Sequence, residues 1–201
     1  MAKADWVLVN PASGSGDKAV NVSSAAVHTG RNPRTSAITF KAANCTDVVR
    51  NVIQAGKPEF VDFNDDTSSV EKSGKVVTLS GTSNSSKLTF KLGTGDIELS
   101  LPATYTANSL TVQNGENIEG DPGATAEYTF SIKITVPANE DITEKTRQII
   151  VTDDGGHQDI CTIELAAGDP YLTVDEGDIN LDYNGTAVSV NVKSNTSWTI
   201  S

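Results

Sequence analysis

An imperfect internal repeat runs through this chain out of phase with its ends, and that phase restricts the fold more than any single motif does. Arg34 to Phe40 (Arg-Thr-Ser-Ala-Ile-Thr-Phe) corresponds to Lys145 to Val151 (Lys-Thr-Arg-Gln-Ile-Ile-Val). The following strand closes as Val52-Ile53-Gln54-Ala55-Gly56-Lys57-Pro58 in one copy and as Glu164-Leu165-Ala166-Ala167-Gly168-Asp169-Pro170 in the other. An opening strand comes next, Glu59 to Phe63 or Tyr171 to Val174, and then a pair of strands around a turn. Residues 58–168 therefore carry a full unit. Residues 1–57 carry only the later strands of a unit, and 169–201 only the early ones; together these two segments have the length of one sandwich.

Apolar residues alternate with polar ones over short stretches, and no segment keeps a 3.6-residue period for three turns. Tyr128 to Val136 and Val188 to Val192 are clear examples. Between such stretches lie Asn10-Pro11, Ser15-Gly16-Asp17, Asp153-Asp154-Gly155-Gly156 and Asn184-Gly185, residues that tolerate positive φ or preset a turn. The expected fold is all-β: two Ig-like β-sandwich units, one complete over 58–168 and one split between 1–57 and 169–201.

Joined tail to head, Ser194 to Ser201 and Ala4 to Gly16 spell one continuous β-domain. The split unit can be completed within one chain or by a neighbour. The connectors around Gly56-Lys57-Pro58 and Gly168-Asp169-Pro170 are short and stiffened by proline, so donation of residues 170–201 to a neighbouring copy is expected. Trp6, Trp198, Val188, Val190, Val192 and Ile200 are the expected core or inter-subunit anchors.

The formal net charge is −11 and the sequence pI is near 4.5. Nucleic acid and anionic lipid both call for clustered Lys and Arg, so neither is an expected partner. The stretch Met1-Ala2-Lys3-Ala4-Asp5-Trp6 has no charged n-region followed by an apolar run, and no run of about 18 apolar residues occurs. Retention in a cytoplasm, or exit by a route other than secretion, is the expectation.

Candidate chemistry is sparse. His28 and His157 have no Cys or Glu at zinc-ligand spacing. Gly14-Ser15-Gly16 lacks the following helix of a phosphate cradle. Asp153-Asp154 with Asp159, and Asp175-Glu176 with Asp178, are acidic loops with oxygen ligands for calcium, but neither follows EF-hand spacing, and solvated turns are the plainer reading. Catalysis, metals and cofactors are not expected. Cys45 and Cys161 read as small buried hydrophobes in similar strand regions of different units, and no bridge is expected between them, since bridging requires close, aligned Cβ atoms. Trp6 and Trp198 are potential sugar platforms, although their strand phase favours the core. Asn21, Asn44, Asn184 and Asn195 each begin a glycosylation triplet that only a secretory pathway would use.

The order Ser197-Trp198-Thr199-Ile200-Ser201, Asp5-Trp6-Val7-Leu8-Val9, Asn10-Pro11-Ala12-Ser13-Gly14-Ser15-Gly16 resembles the BACON family of Ig-like domains from Bacteroidetes and their phages. Ala19 to Val22, Arg34 to Phe40 and Val52 to Gly56 continue the resemblance. It covers nearly all of 1–57 and 169–201 in circularly shifted order. It is weaker over 58–168, where no Trp matches and Asn114 to Asp121 replaces the Pro-Ala-Ser-Gly-Ser-Gly turn. The family occurs in secreted carbohydrate-active and surface proteins, and in virion proteins of crAss-like phages. The resemblance implies no catalytic residue. It implies a structural virion protein, a capsid auxiliary or decoration subunit or a tail component, whose partners are its own copies and other capsid proteins. The alternatives are a glycan- or mucin-binding module and a fragment of a secreted Bacteroidetes enzyme.

Overall fold

The computed structural model describes residues 3–201 and is an all-β molecule of mostly antiparallel sheets. Met1 and Ala2, the head of the stretch without export-signal character, lie outside the described residues. Two hairpins come first. β1 (Val7–Asn10) pairs with β2 (Asn21–Ser24), and β3 (Arg34–Phe40) pairs with β4 (Val48–Gln54) from Arg34 opposite Gln54 to Phe40 opposite Val48.

The middle of the chain supplies β5 (Val61–Phe63), β6 (Thr67–Val70), β7 (Lys75–Ser83), β8 (Leu88–Gly95), β9 (Thr104–Ala107), β10 (Leu110–Gln113), β11 (Tyr128–Val136), β12 (Lys145–Asp153) and β13 (Gln158–Leu165). A five-stranded sheet runs β10-β9-β11-β7-β5, and a four-stranded sheet runs β6-β13-β12-β8. Only the β6–β13 pair is parallel among the described residues. Both sheets feed one core, because two-residue periodicity sends alternate side chains inward. On β11, Tyr128, Phe130, Ile132, Ile134 and Val136 are buried while Thr129, Lys133 and Thr135 are exposed. The facing strand β12 gives Ile149 and Val151. Phe63, Phe90, Tyr105 and Phe130 meet at the centre with ring centroids 5.0–6.4 Å apart, the tilted and edge-on geometry that aromatic quadrupoles favour. Gly81 makes room for this cluster, since a Cβ there would lie 2.4 Å from the Phe130 ring.

The chain ends in β14 (Leu172–Val174) and β15 (Val192–Ser194), an isolated two-stranded pair. Alternation predicts a strand over Val188 to Val192, yet Val188 to Asn191 have no sheet partner and are not strand. The β-strand is a pairing state, and a hairpin arm without a sheet beside it keeps only the pairing it makes with itself. Cys45 also differs from expectation. It sits exposed in the turn between β3 and β4, just after Asn44 with φ 59, while Cys161 is buried on β13, and both are free thiols.

Candidate assembly interface

The strongest organising feature is a small polar clamp that occurs twice. In the first copy, Ser83 Oγ donates to the Phe60 carbonyl (2.7 Å), the Ser85 amide donates to Ser83 Oγ (3.0 Å), and the Phe60 amide donates to Asn84 Oδ1 (3.0 Å). Asn84 Nδ2 reaches the carbonyls of Pro58 (3.2 Å) and Thr29 (3.3 Å). In the second copy, Ser194 Oγ donates to the Tyr171 carbonyl (2.9 Å), the Thr196 amide to Ser194 Oγ (3.0 Å), and the Tyr171 amide to Asn195 Oδ1 (3.0 Å). Asn195 Nδ2 donates to the carbonyls of Asp169 and Glu140, both at 2.9 Å. Each residue stands 111 positions from its counterpart, as Asn84 does from Asn195. The same spacing relates the strand pairs: Val61 opposite Ser83 becomes Leu172 opposite Ser194, and Phe63 opposite Gly81 becomes Val174 opposite Val192.

That spacing corrects the alignment of the connectors by one residue. The Lys57 amide donates to the Gly30 carbonyl (2.9 Å), and the Gly168 amide donates to the Asp141 carbonyl (2.7 Å), so Lys57 answers to Gly168 rather than to Asp169. Likewise His28 Nε2 meets the Asn32 carbonyl (2.7 Å), as Asn139 Nδ2 meets that of Thr143 (2.8 Å). The segment before the middle sandwich and the segment after it are thus attached through equivalent joints.

The two joints lie at opposite poles. At one, β7 ends at Ser83 and β11 begins at Tyr128. There the Arg31 and Asn32 amides donate to the Gly123 and Ala124 carbonyls (2.8 and 2.9 Å), and the Arg31 guanidinium holds the Asn84 carbonyl (2.6 Å) and the Asp121 carboxylate (2.7 Å). Gly30 lets the loop approach, because a Cβ would fall 2.3 Å from the Thr125 carbonyl carbon. At the other pole β11 ends at Val136 opposite Lys75, and Lys72 pairs with Asp169. The nine residues of β11 span about 30 Å between the poles.

The arm at the second pole shows what it lacks. Leu172, Val174, Leu181, Val188, Val190 and Val192 are the counterparts of Val61, Phe63, Val70, Val77, Leu79 and Gly81, of which the five apolar side chains are buried core. Val61 is 6% exposed and Leu172 is 55% exposed. Val174, Leu181 and Val188 are similarly open, and Val190 and Val192 are half-buried. Trp198 and Ile200 are exposed at the end of the arm. The segment at the first pole is open in turn. Val7 is fully buried and Ile38 nearly so, but Phe40, the counterpart of buried Val151, is 43% exposed. Leu8, Val22, Val48, Val49 and Ile53 also face solvent, at positions whose counterparts in the middle sandwich are not buried. Between the two hairpins lies a groove of about 530 Å³, floored by Val9, Val20, Ile38 and Phe40, with Lys3, Lys18 and Lys41 along its side.

The expected anchors thus separate. Val188, Val190 and Val192 occupy core-equivalent positions on the arm. Trp6 is half-buried on the N-terminal segment, where the Arg34 guanidinium stands 4.6 Å from its ring centroid and covers one face. The acidic loops are tied up structurally. Asp153 accepts from the His157 amide (2.7 Å) and meets His157 Nδ1 (2.9 Å), Asp154 pairs with Lys87 (2.5 Å), and Asp159 accepts from the Phe63 amide (2.6 Å). Asp175 accepts from the Asn191 amide and Nδ2, bracing the arm. Among the described residues no group of three or more His, Cys, Asp or Glu side chains is placed to hold a metal ion, and no helix is long and apolar enough to cross a membrane. Burial lifts the Cys161 thiol to about 11, with Asp65, Asp159 and Asp66 adding to the shift.

Charge segregation was legible in the sequence but hidden by the net value. Residues 1–57 carry seven Lys and Arg against three Asp, and 169–201 carry five Asp and Glu against Lys193.

No family model and no curated protein matches the chain. Among solved structures, a protein from Bacteroides thetaiotaomicron determined by NMR is similar over 54% of this chain and 87% of its own, at 12% identity and TM-score 0.29. An endo-fucoidan hydrolase of glycoside hydrolase family 107 is similar over 83% of this chain and 22% of its own, at 10% identity and TM-score 0.30. Likeness at that level assigns neither fold family nor activity.

Proposed function

We propose that this chain is a non-enzymatic structural protein of a phage virion, an auxiliary or decoration subunit of the capsid, which assembles when the arm of one copy completes the open hairpins of another. The observation that carries the assembly is the pair of complementary open segments, each fastened by an equivalent joint to an opposite pole of a finished sandwich. A pair of open hairpins and an apolar arm are liabilities unless covered, and strand addition covers backbone and side chains together. The BACON resemblance supports the virion setting. Deletion of residues 175–201 is the test: the full chain is expected to form oligomers and to occupy its place on particles, and the truncated chain to remain monomeric and absent from them. A truncated chain that still assembles overturns the reading.

One observation favours a second reading, a glycan-binding module. Tyr183 is 98% exposed and Trp198 47% exposed, both on the arm, as stacking platforms would be. A glycan array separates the two: sugar binding abolished by Trp198→Ala or Tyr183→Ala supports the module, and no binding at all supports the structural subunit.

A further inference from the structure

We infer that the groove between the β1–β2 and β3–β4 hairpins is the receptor for residues 169–201 of a second copy, which enters in the register that the middle sandwich uses for its own opening strands and is drawn in by opposite charge. The inference rests on the assembly reading above and supplies its receptor, register and driving field.

The occupant follows from three features. First, Ile38 and Phe40 in the groove are the counterparts, 111 positions earlier, of Ile149 and Val151, which are fully buried against the early strands of the middle sandwich. What fills that space there is the face bearing Phe63, Val70 and Leu79, and the arm carries Val174, Leu181 and Val190 at those positions. Second, the arm of the same chain is fastened at the far pole, about 30 Å along β11 from the joint that holds the hairpins. Clamps at both poles keep the two segments of one chain apart, so a second copy supplies the arm. Third, the hairpin segment is net positive with Lys3, Lys18 and Lys41 along the groove, and the arm is net negative. Hairpins repel hairpins and arms repel arms, so the field favours an arm of one copy meeting the hairpins of another over contacts between like segments.

The register is equally specific. Parallel pairing of β6 with β13 sets Ser68 beside Ile163. Shifted by 111, it sets Ile179 of one copy beside Val52 of the next. Two chains, one Val52→Cys and one Ile179→Cys, both also Cys45→Ser, are unfolded together, refolded as a mixture and treated with a short bismaleimide. A crosslinked heterodimer is expected, and a Val52→Cys chain mixed with a Val76→Cys chain is expected to give none, since Val76 lies on the middle sandwich. Adding Val190→Asp to the Ile179→Cys chain should abolish the product. Raising salt from about 50 to about 500 mM should slow its formation about tenfold or more, because opposite surface fields accelerate encounter and are screened.

Failure has separate signatures. A preparation that sediments as an oligomer but gives no Val52–Ile179 product overturns the receptor while leaving a structural subunit that assembles through another surface. A chain bearing both cysteines that crosslinks within itself at monomer mass overturns the second copy. Formation indifferent to salt overturns the driving field. A chain that stays monomeric and uncrosslinked at every concentration overturns both the receptor and the assembly reading.

Discussion

Asn84 shows how one side chain can set an inter-segment angle. It is fully buried, and its amide joins Phe60 and Pro58 from one stretch of chain to Thr29 from another. Alanine would strand a buried amide and several carbonyls, at a cost of about 2–4 kcal/mol. Asn84→Ala is therefore expected to lower the chemical-denaturation midpoint of the middle sandwich. Asn195→Ala, which removes the same bonds from an exposed arm, should leave that midpoint unchanged and increase only amide exchange at Tyr171. Equal effects from the two substitutions would contradict the burial difference. The clamp was legible as Ser-Asn-Ser-Ser and Ser-Asn-Thr-Ser, but alignment on apolar residues passes over a polar motif. The thiols give a second test at this scale. Exposed Cys45 should react fully with a neutral-pH thiol reagent in the folded protein, and Cys161 only after unfolding, given its burial and raised pKa. Its environment was legible for Cys161, on an alternating strand. It was not for Cys45, because a turn after Asn44 has no apolar periodicity to read.

Strands in this molecule form where a neighbour exists. Hairpins such as β3–β4 and β12–β13 bring their own neighbour, and their positions follow from alternation and turn chemistry alone. Val188 to Val190 have the same alternation and no neighbour, so they stay out of any ladder, while the Asn191 carbonyl still accepts from the Asp175 amide (3.1 Å). Their counterparts Val77 to Leu79 are paired with Ile134 to Ile132 of β11. Hydrogen exchange is the measurement that follows: amides of 187–190 should exchange at loop rates in dilute protein, and become strongly protected if the arm enters a neighbouring copy as proposed. Fast exchange in both states would show that the arm gains no sheet.

The middle sandwich holds the continuous apolar core of the molecule. Burial raises the pKa of Tyr105 from 10 to about 12, with the Leu88 amide opposing it slightly, and burial also raises that of Tyr128, whose hydroxyl donates to the Ser85 carbonyl (3.0 Å). Both phenols are neutral in the fold and ionise more readily in the unfolded chain. Their contribution is complete below pH 10 and is lost as pH climbs from there toward 12. Alkaline unfolding followed by tyrosinate absorbance should accordingly be cooperative, with phenol ionisation accompanying loss of structure. Gradual titration with structure retained would place these hydroxyls in solvent. At this scale the all-β class was legible from end to end. The charge segregation was visible as well, yet −11 conceals a basic first quarter and an acidic last sixth.

If arms pass between copies as proposed, the equivalent joints at the two poles have a kinetic consequence. In an assembly built on shared strands, releasing one subunit means pulling an arm out of a core, with its apolar residues and ladder bonds exposed together. Departure is then a local unfolding event, and unfolding rates fall far below the escape rates of ordinary surface contacts. Such a protein is exchanged slowly once seated, and its residence time responds to heat and denaturant as a folding barrier does.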